Sequence, residues 1–396
     1  MTKKIMVPEI RFEGFGEEWE VTLLSKLMTF SNGINAPKES YGKGRKMISV
    51  LDILDDSPLK YEGIRNSVSV NEDVENSNRV DKGDLVFVRS SEVVSEVGWG
   101  KAYLDEKYAL YSGFSIRGKR KDKYEALFLE LSINEKARKQ IERRSGGSTR
   151  FNVNQSILNE LKVAMPRLDE QKKISHIFKI LNTNINSRKH ELTKLQNFKQ
   201  AMLQKMFPKE GERIPEVRFE GFSGEWETVK LGNVLSYEQP TKYIVESDKY
   251  INTRKIPVLT AGKSLLLGYT DETEGIYKAR EKNGVIIFDD FTTSSHLIEF
   301  DFKVKSSALK LLTTKSSDYN LYFIYNLIKN INYIPGNHER HWISIFSEFD
   351  VLVPTKEEQL QIGNFFKNMD FKIKLEEQNL QKLKQIKSSM LQKMFV

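Results

Sequence analysis

Two passages of the sequence occur twice, and this internal repeat limits the possible folds more than any other feature. Residues 7–19 read VPEIRFEGFGEEW, and residues 214–226 read IPEVRFEGFSGEW, 207 positions later. AMLQKMF at 201–207 returns as SMLQKMF at 389–395, 188 positions later. Solenoid arrays need three or more short repeats, so two long copies predict two globular domains related by pseudo-two-fold symmetry.

Between these phrases the two copies resemble each other more weakly but in the same order. GDLVFV at 83–88 parallels NGVIIF at 283–288, and NELKVAMP at 159–166 parallels SEFDVLVP at 347–354. Both copies combine such strand-like runs with helical segments, so we expect α+β domains. Matching ends and divergent middles indicate a shared frame that carries two different recognition surfaces. Neutral drift of exposed domains is the alternative.

A long helix is predicted after Pro166 and again after Pro354. Apolar residues recur there in alternating steps of four and three, which is the spacing of a coiled-coil seam. If the two helices pair antiparallel, a rod of about 58 Å, for about 39 residues at a rise of 1.5 Å, separates the domains. Arg188 and Glu376 occupy equivalent polar seam positions and are predicted to approach each other and set the register. The alternative is two amphipathic helices that pack separately on their own domains.

The repeat also predicts how the two halves begin and end. Each opening phrase is expected to enter its half away from the divergent parts, with Trp19 and Trp226 anchoring it to the frame. Joining Val396 to Met1 would complete a circle of two equivalent halves, so the chain ends should lie close together.

Positive charge is concentrated in the two helical segments. Residues 167–207 contain 9 Lys and Arg against 3 Asp and Glu, and residues 354–396 contain 8 against 5. These segments contribute +6 and +3 to the formal net charge of +8, so the rest of the chain sums to −1. A basic helix face is either solvated or placed beside a polyanion.

One basic loop lies within the first globular part. RKQIERRSGGSTR at 138–150 has a net charge of +4 and ends in a flexible Gly-Gly-Ser-Thr turn before Arg150. Arg, Ser, Thr and backbone N–H groups in such a loop suit contacts to phosphates and base edges. The counterpart PGNHERHW at 335–342 keeps an arginine, Arg340, but surrounds it with histidines and Trp342. Different donors at one position of the repeat are what two different half-sites would require.

No catalytic or metal-binding motif is complete. The chain has 0 cysteines, which excludes a disulfide framework, a thiolate zinc site and a cysteine nucleophile. AGKS at 261–264 resembles the end of a phosphate-binding loop, but Pro257 stands where the first glycine is required. His338 and His341 form a pair that is more typical of a loop than of a metal site. Without a signal peptide or an apolar run of membrane-spanning length, we expect a cytoplasmic protein.

The repeated elements together resemble a known family. A divergent domain that ends in a GST-R or GNHER turn, a strand ending in proline and a long helix ending in MLQKMF are similar to the specificity (S) subunit of type I restriction-modification systems, the HsdS family. The resemblance covers essentially the whole chain. Its most specific element is Pro-x-x-x-Glu-Gln-x-x-Ile, at 166–174 and 354–362.

The resemblance implies an α+β fold with two tandem, pseudo-two-fold-related globular recognition domains separated by a long antiparallel two-helix coiled coil. The expected segments are an N-terminal frame segment at 1–19, the first target recognition domain at 20–165, the first conserved long helix at 166–207, a linker and second frame segment at 208–227, the second target recognition domain at 228–353 and the second conserved long helix at 354–396.

The same resemblance implies a function without catalysis by this chain. Each target recognition domain would read one half of a bipartite, asymmetric site in double-stranded DNA, and the coiled coil would set the spacing. Two methyltransferase (M) subunits would dock and methylate adenine, and restriction (R) subunits would add cleavage of unmethylated DNA. S-adenosylmethionine, ATP and Mg are expected on these partners and none of them on this chain.

The predicted DNA contacts follow the strand-like runs or lie in the two loops. They are Arg89, Ser90, Ser91, Arg143, Arg144, Ser148, Thr149 and Arg150 in the first domain, and Thr292, Thr293, Ser294, His338, Arg340 and His341 in the second. An ordinary turn is the alternative for each Ser and Thr.

Two other functional classes remain open at this point. A DNA-independent coiled-coil adaptor that holds two protein partners would show no sequence-selective, salt-dependent binding to DNA. A self-contained methyltransferase or nuclease would be active as the purified chain with S-adenosylmethionine or Mg²⁺.

Overall fold

The computed structural model describes residues 6–147, 149–247, 249–250, 255–260, 265–280, 284–333 and 341–396. Of the residues considered above, Ser148, His338, Arg340 and the AGKS segment at 261–264 lie outside this described part. The chain divides into unit 1, Met1–Lys189 with Gln378–Val396, and unit 2, His190–Glu377.

Unit 1 consists of short strands and helices followed by the start of a long helix. In chain order these are Glu20–Leu23 (β1), Leu24–Leu27 (α1), Met28–Asn32 (β2), Tyr41–Ile48 (β3), Val50–Leu54 (α2), Asn66–Val68 (β4), Glu72–Ser77 (α3), Leu85–Val88 (β5), Ser90–Ser91 (β6), Gly100–Ala102 (β7), Leu110–Tyr111 (β8), Ser115–Arg120 (β9), Ala126–Ser132 (α4), Arg138–Arg144 (α5), Phe151–Asn152 (β10), Gln155–Asn159 (α6), Lys162–Met165 (β11) and Leu168–Lys205 (α7), which continues into unit 2.

Unit 2 repeats this arrangement, with fewer elements among its described residues. After the end of α7 it contains Glu227–Lys230 (β12), Leu231–Val234 (α8), Leu235–Glu238 (β13), Ile256–Leu259 (β14), Leu266–Thr270 (β15), Val285–Asp289 (β16), Ser295–Ile298 (β17), Lys303–Val304 (β18), Leu309–Thr314 (β19), Leu321–Asn330 (α9), His341–Ser344 (α10), Asp350–Val353 (β20) and Lys356–Met394 (α11), which continues into unit 1.

The two units share one sheet topology. Unit 1 has a four-stranded sheet in the order β2-β9-β5-β7 and a three-stranded sheet in the order β4-β3-β8, and unit 2 has the corresponding orders β13-β19-β16-β17 and β15-β14-β18. In both three-stranded sheets one neighbouring pair is antiparallel and the other, β3 with β8 or β14 with β18, is parallel. The predicted duplication of an α+β domain is therefore confirmed.

One inner strand of each four-stranded sheet, β5 in unit 1 and β16 in unit 2, is buried on both faces. In β5, Leu85 and Phe87 belong to one hydrophobic cluster and Val86 and Val88 to another, because alternate side chains of a strand point to opposite faces. The alternate residues of β16 divide between two clusters in the same way. This double burial explains the continuous apolar runs that predicted strands at 85–88 and 285–288.

The opening phrase of unit 1 packs on an aromatic cluster at the base of the domain. Trp19 is buried and lies edge-on to Phe128 and Phe395, with ring centroids 5.5 and 6.2 Å away. Phe395 also stacks on Phe128 at 5.2 Å and contacts Phe178 at 5.9 Å. The repeated MLQKMF phrase therefore supplies the phenylalanine that closes this cluster.

Unit 2 builds the same cluster from the equivalent residues. Trp226 is buried and lies edge-on to Phe323 and Phe207 at 5.7 and 5.9 Å. Phe207 stacks on Phe323 at 5.4 Å and approaches Phe366 at 6.1 Å. The predicted anchoring role of the two tryptophans is confirmed in both units.

A buried ion pair ties each opening phrase to its long helix. Arg11 donates from Nε and Nη2 to the two carboxylate oxygens of Glu170, at 2.7 and 2.8 Å. Arg218 forms the same two-pronged pair with Glu358, with both distances 2.7 Å. The hydrogen bond that Arg11 donates to Glu170 raises the pKa of Arg11 above its usual value. The RFEGF phrase thus pairs with the Glu-Gln motif, which explains why both are repeated.

We use the name frame for the opening phrase, the two strands next to it in space and the parts of the long helices in each unit: residues 6–23, 162–189 and 378–396 in unit 1, and 190–230 and 350–377 in unit 2. β1 pairs with β11 and β12 with β20, both antiparallel. Ile10 N donates to Lys393 O at 3.0 Å, and Met6 and Val396 line one small cavity, so the described terminal residues lie close together as predicted.

The two long helices run antiparallel within each unit. In unit 1, Phe178 near the start of α7 contacts Phe395, which follows α11. In unit 2, Phe198 near the end of α7 contacts Phe365 near the start of α11, with ring centroids 6.3 Å apart. Arg188 belongs to unit 1 and Glu376 to unit 2, and their approach across the coiled coil stays a prediction.

Candidate nucleic-acid interface

In unit 1 the structure brings two of the predicted reading segments together. Ser90–Ser91, which form β6 directly after β5, pair antiparallel with Phe151–Asn152 of β10. Val153 N also donates to Arg89 O at 2.9 Å. Residues more than fifty positions apart in sequence therefore form one surface at the end of the central strand.

Arg150 lies beside an exposed aromatic ring at this surface, and Arg89 bonds to the backbone that carries the ring. The guanidinium carbon of Arg150 lies 5.9 Å from the ring centroid of Phe114. Arg89 donates from Nη1 to Gly113 O at 3.2 Å and from its backbone N to Phe114 O at 2.9 Å. One cationic side chain, Arg150, thus lies beside the ring of a phenylalanine that is 56% exposed, and a second, Arg89, bonds to the backbone next to it.

The basic loop of unit 1 depends on a glycine. Gly147 has a φ of +126°, and a Cβ at this position would lie 2.0 Å from Arg150 O. Only glycine fits both the backbone angle and the close approach. Thr149 and Arg150 are exposed beyond it, so the turn holds these two predicted contacts toward solvent.

The arginines that precede the loop have different roles. Arg143 and Arg144 are exposed at the end of α5, and Arg144 pairs with Glu160 at 3.5 Å. Arg138 is buried and donates from Nη2 to the carbonyl oxygens of Val94 and Val97. Burial lowers the pKa of Arg138. Arg138 therefore has a structural role. The net charge of the loop sequence could not distinguish this buried arginine from the exposed ones.

Ser91 is engaged within the protein. Its hydroxyl donates to Glu96 Oε2 at 2.6 Å and accepts from Val93 N at 3.1 Å. A hydrogen bond from the Ser91 hydroxyl to DNA would have to compete with the Glu96 carboxylate. Among the described residues the hydroxyl of Ser90 has no hydrogen bond to a carboxylate.

In unit 2 the turn after β16 is held by Asp289. The hydroxyl of Thr292 donates to Asp289 Oδ2 at 2.6 Å and lies 3.0 Å from the hydroxyl of Ser294. Thr293 N donates to Asp289 O at 2.9 Å, and Thr293 has a φ of +59°, a left-handed conformation that is strained for a β-branched residue. Such strain recurs at binding sites, so the conformation is consistent with a functional turn.

Asp290 joins this turn to the segment that follows the second loop. Its side chain accepts from Trp342 N at 2.8 Å and pairs with buried Lys310 at 3.1 Å. Its backbone oxygen accepts from His341 Nδ1 at 2.8 Å. His341 is only 1% exposed, so it lies outside the recognition surface, contrary to its prediction as a DNA contact. The sequence pattern could not distinguish this buried histidine from an exposed one.

The turn after β16 in unit 2 carries less positive charge than the corresponding turn after β5 in unit 1. His296 follows the turn on β17, and burial lowers its pKa, so its imidazole is neutral at neutral pH. Residues 289–294 offer hydroxyl and backbone groups and no arginine, whereas the corresponding residues 89–91 of unit 1 are Arg-Ser-Ser. The two surfaces therefore differ in chemistry although the strands beneath them correspond.

Two residues of these surfaces were not predicted from the sequence. Phe114 follows a Ser-Gly pair between two buried strands, and no periodicity distinguishes an exposed phenylalanine there from a core residue. Asp290 is buried with Lys310. In the sequence, the one signal for a buried carboxylate here is the pair Asp289-Asp290 at the end of the apolar run of β16.

Within the described residues the structure contains neither a metal-ligating cluster nor a membrane-spanning helix. Nowhere in that part of the chain do three or more His, Asp or Glu side chains gather as they would around a metal ion. None of the helices described there is both long and apolar enough to cross a membrane.

Comparison with known proteins identifies the fold and the family. A sequence model of the type I restriction modification DNA specificity domain matches residues 17–197 and 223–385, one match for each copy of the repeat. A crystal structure of the type I restriction-modification system S subunit from M. genitalium has the same fold, with a TM-score of 0.69, 14% sequence identity and coverage of 99% of both chains.

Two curated relatives match parts of the chain. The type I restriction enzyme EcoR124I/EcoR124II specificity subunit of Escherichia coli is 45% identical over 142 residues, which are 35% of this chain and 34% of that protein. The putative type I restriction enzyme MjaX specificity subunit of Methanocaldococcus jannaschii is 26% identical over 229 residues, 55% of this chain and 52% of that protein. The chain thus matches about a third and about half of the length of these relatives.

Because the family model matches both copies of the repeat and most of the chain, the protein belongs to the family defined by the type I restriction modification DNA specificity domain.

Proposed function

We propose that this chain is the DNA sequence-specificity subunit of a type I restriction-modification complex. Unit 1 reads one half of a bipartite, asymmetric site in double-stranded DNA, and unit 2 reads the other half. The coiled coil of α7 and α11 sets the spacing of the two halves. The chain itself is not an enzyme.

One observation carries this proposal: the two units share their frame but differ at their recognition surfaces. In the pairs Arg11–Glu170 and Arg218–Glu358 the closest distance between a guanidinium nitrogen and a carboxylate oxygen is 2.7 Å in both units. The turn at the end of β5, in contrast, combines Arg89 with the hydroxyl groups of Ser90 and Ser91, whereas residues 290–294 at the end of β16 include hydroxyl groups but no arginine. Equal frames suit identical partners, and unequal surfaces suit unequal DNA half-sites.

The frames also present equivalent apolar side chains to solvent. Val7 and Ile214 occupy the same position of the repeated phrase and are both exposed, as is Ile10 three residues after Val7. Two copies of one partner protein could therefore bind equivalent surfaces, one on each frame. We assign these surfaces to two methyltransferase (M) subunits, which would supply S-adenosylmethionine and methylate adenine. Restriction (R) subunits would bring ATP and Mg for cleavage.

The rival function is a coiled-coil adaptor that does not bind DNA. Fluorescence anisotropy of the chain with duplex fragments of its source genome, with and without M subunits, separates the two. A specificity subunit binds selectively, with an affinity that falls as salt rises. Equal, weak binding to all fragments would favour the adaptor, and methylation or cleavage by the purified chain alone would overturn the assignment as a non-catalytic subunit.

Arg150→Ala tests the recognition surface of unit 1. We expect a loss of about 1–3 kcal/mol in binding to the cognate duplex, relaxed discrimination in one half-site only and a salt slope lower by about 1, because an exposed guanidinium is removed. Arg340→Ala, predicted from the sequence, should act on the other half-site.

Arg167→Ala is the matched control, because Arg167 is exposed at the start of the long helix and pairs with Asp169 outside both loops. Wild-type affinity and an unchanged methylation pattern in the Arg150 variant would show that the loop is not a reading element.

A further inference from the structure

Phe114 is an exposed aromatic side chain on a backbone that is fixed by hydrogen bonds. Arg89 N donates to Phe114 O at 2.9 Å, which continues the pairing of β5 with β9 by one residue. Ser115 N donates to Ser112 O at 2.9 Å and closes a tight turn around Phe114. Ser112 and Ser115 are themselves buried. The ring therefore projects from a rigid support.

The neighbouring residue, Gly113, is held by backbone hydrogen bonds and close packing. Gly113 N donates to Ile34 O at 2.8 Å, and Gly113 O accepts from Arg89 Nη1 at 3.2 Å. A Cβ on Gly113 would lie 1.9 Å from Asn35 Oδ1. Such close packing leaves the backbone little freedom to turn Phe114 back into the protein.

The ring itself lacks an apolar environment. It is 56% exposed and belongs to none of the hydrophobic clusters formed by the described residues. Its one described ring contact is with the guanidinium of Arg150. A large apolar side chain that is held out rigidly beside a cation is suited to a ligand that is flat, apolar on its faces and linked to negative charge at its edge. Nucleic-acid bases on their phosphate backbone have this combination.

We propose that Phe114 inserts into the base stack of the half-site that unit 1 reads and stacks against one base, while Arg150 beside it contacts the same half-site. The inference rests on the proposed function and adds a specific residue and contact to it. Inserted phenylalanine side chains unstack a base step and make recognition depend on how easily that step deforms. Phe114 would therefore contribute to sequence preference without a hydrogen bond to any base.

The test uses the full chain in complex with its M subunits and duplexes that contain the mapped methylation site. 2-Aminopurine, whose fluorescence rises when its neighbours unstack, is placed at successive positions of both half-sites. We expect the wild-type complex to raise the fluorescence at one step of a single half-site. Phe114→Ala should abolish this rise and weaken binding roughly 10- to 100-fold, the effect of losing one base–aromatic stack.

Further measurements separate stacking from other roles of Phe114. Phe114→Trp should keep both the rise and the affinity, and the salt slope of Phe114→Ala should equal that of the wild type because no charge is lost. Phe300→Ala, which removes another exposed phenylalanine in unit 2, should behave as the wild type.

Three outcomes would count against the proposal. A fluorescence rise that persists in Phe114→Ala, or wild-type affinity of that variant, overturns the insertion. Weaker binding of the wild type when one thymine is replaced by uracil, with no such effect in Phe114→Ala, would show a contact to a thymine methyl group instead. If the wild-type complex binds no duplex selectively, the proposed function fails, and the inference fails with it.

Discussion

Arg218→Met is expected to destabilise the frame of unit 2 by about 3–5 kcal/mol, because it leaves the buried carboxylate of Glu358 without its counter-charge. The Arg218 side chain is 13% exposed and that of Glu358 is 0% exposed, so water cannot replace the lost guanidinium. Native-state hydrogen exchange over β12 and β20 measures the free energy of opening where the effect is expected.

Arg213→Met is the control for this experiment. Arg213 lies in the same segment but pairs with Glu225 at the surface, 3.3 Å away, and should cost less than about 1 kcal/mol. The double variant Arg218→Met with Glu358→Leu should recover part of the loss, since it removes the stranded charge as well. Equal effects of the two arginine variants would mean that the buried pair does not hold the frame.

Phe207→Ala is expected to cost unit 2 about 3–5 kcal/mol, because it opens a cavity in the aromatic cluster beneath the recognition domain. Phe207 contacts Trp226, Phe323 and Phe366, and its side chain is buried. The loss should appear as faster hydrogen exchange at the end of α7 and in β12 and as a shift in the emission of Trp226.

Phe198→Ala is the matched variant on the same helix. Phe198 is half exposed and contacts Phe365, so its removal should cost about 1 kcal/mol or less. If Phe207→Ala destabilises the protein no more than Phe198→Ala, the cluster is not the anchor of the opening phrase.

The repeat allowed much of the architecture to be predicted because it is encoded by local patterns. Alternating steps of four and three placed the long helices, which begin at Leu168 and Lys356, within two residues of the prolines that precede them. The apolar runs at 85–88 and 285–288 are buried strands of equivalent sheets. Tandem identity of the opening phrases indicated a common frame, and the two buried tryptophans confirm it.

Pairings between distant residues could not be predicted in the same way. Arg11 and Glu170 lie 159 positions apart, and no local pattern links them. Their identical recurrence as Arg218 and Glu358 was a usable signal, because a charge kept at the same place in both copies indicates a shared partner.

The recognition surfaces were predictable only in part. Residue type and loop position selected Arg89 and Arg150 as candidates, and the structure joins their segments at one surface through the pairing of β6 with β10. Burial then separates residues that look alike in sequence. Arg138 and His341 are buried and bonded to backbone carbonyls, whereas Arg143 and Arg150 are exposed. DNA contact by the exposed residues stays a prediction.

Exchange of one recognition domain tests the central claim most directly. Residues 228–353 are replaced by the corresponding segment of a specificity subunit with another target, and the chain is produced with its M subunits in cells that lack other adenine methylation. Sequencing then maps the methylated adenines. We expect one half of the bipartite site to change, while the other half and the spacer stay the same, and exchange of residues 20–165 should change the opposite half. A site that changes in both halves, or a methylation pattern that does not respond to either exchange, would contradict the assignment of one half-site to each unit.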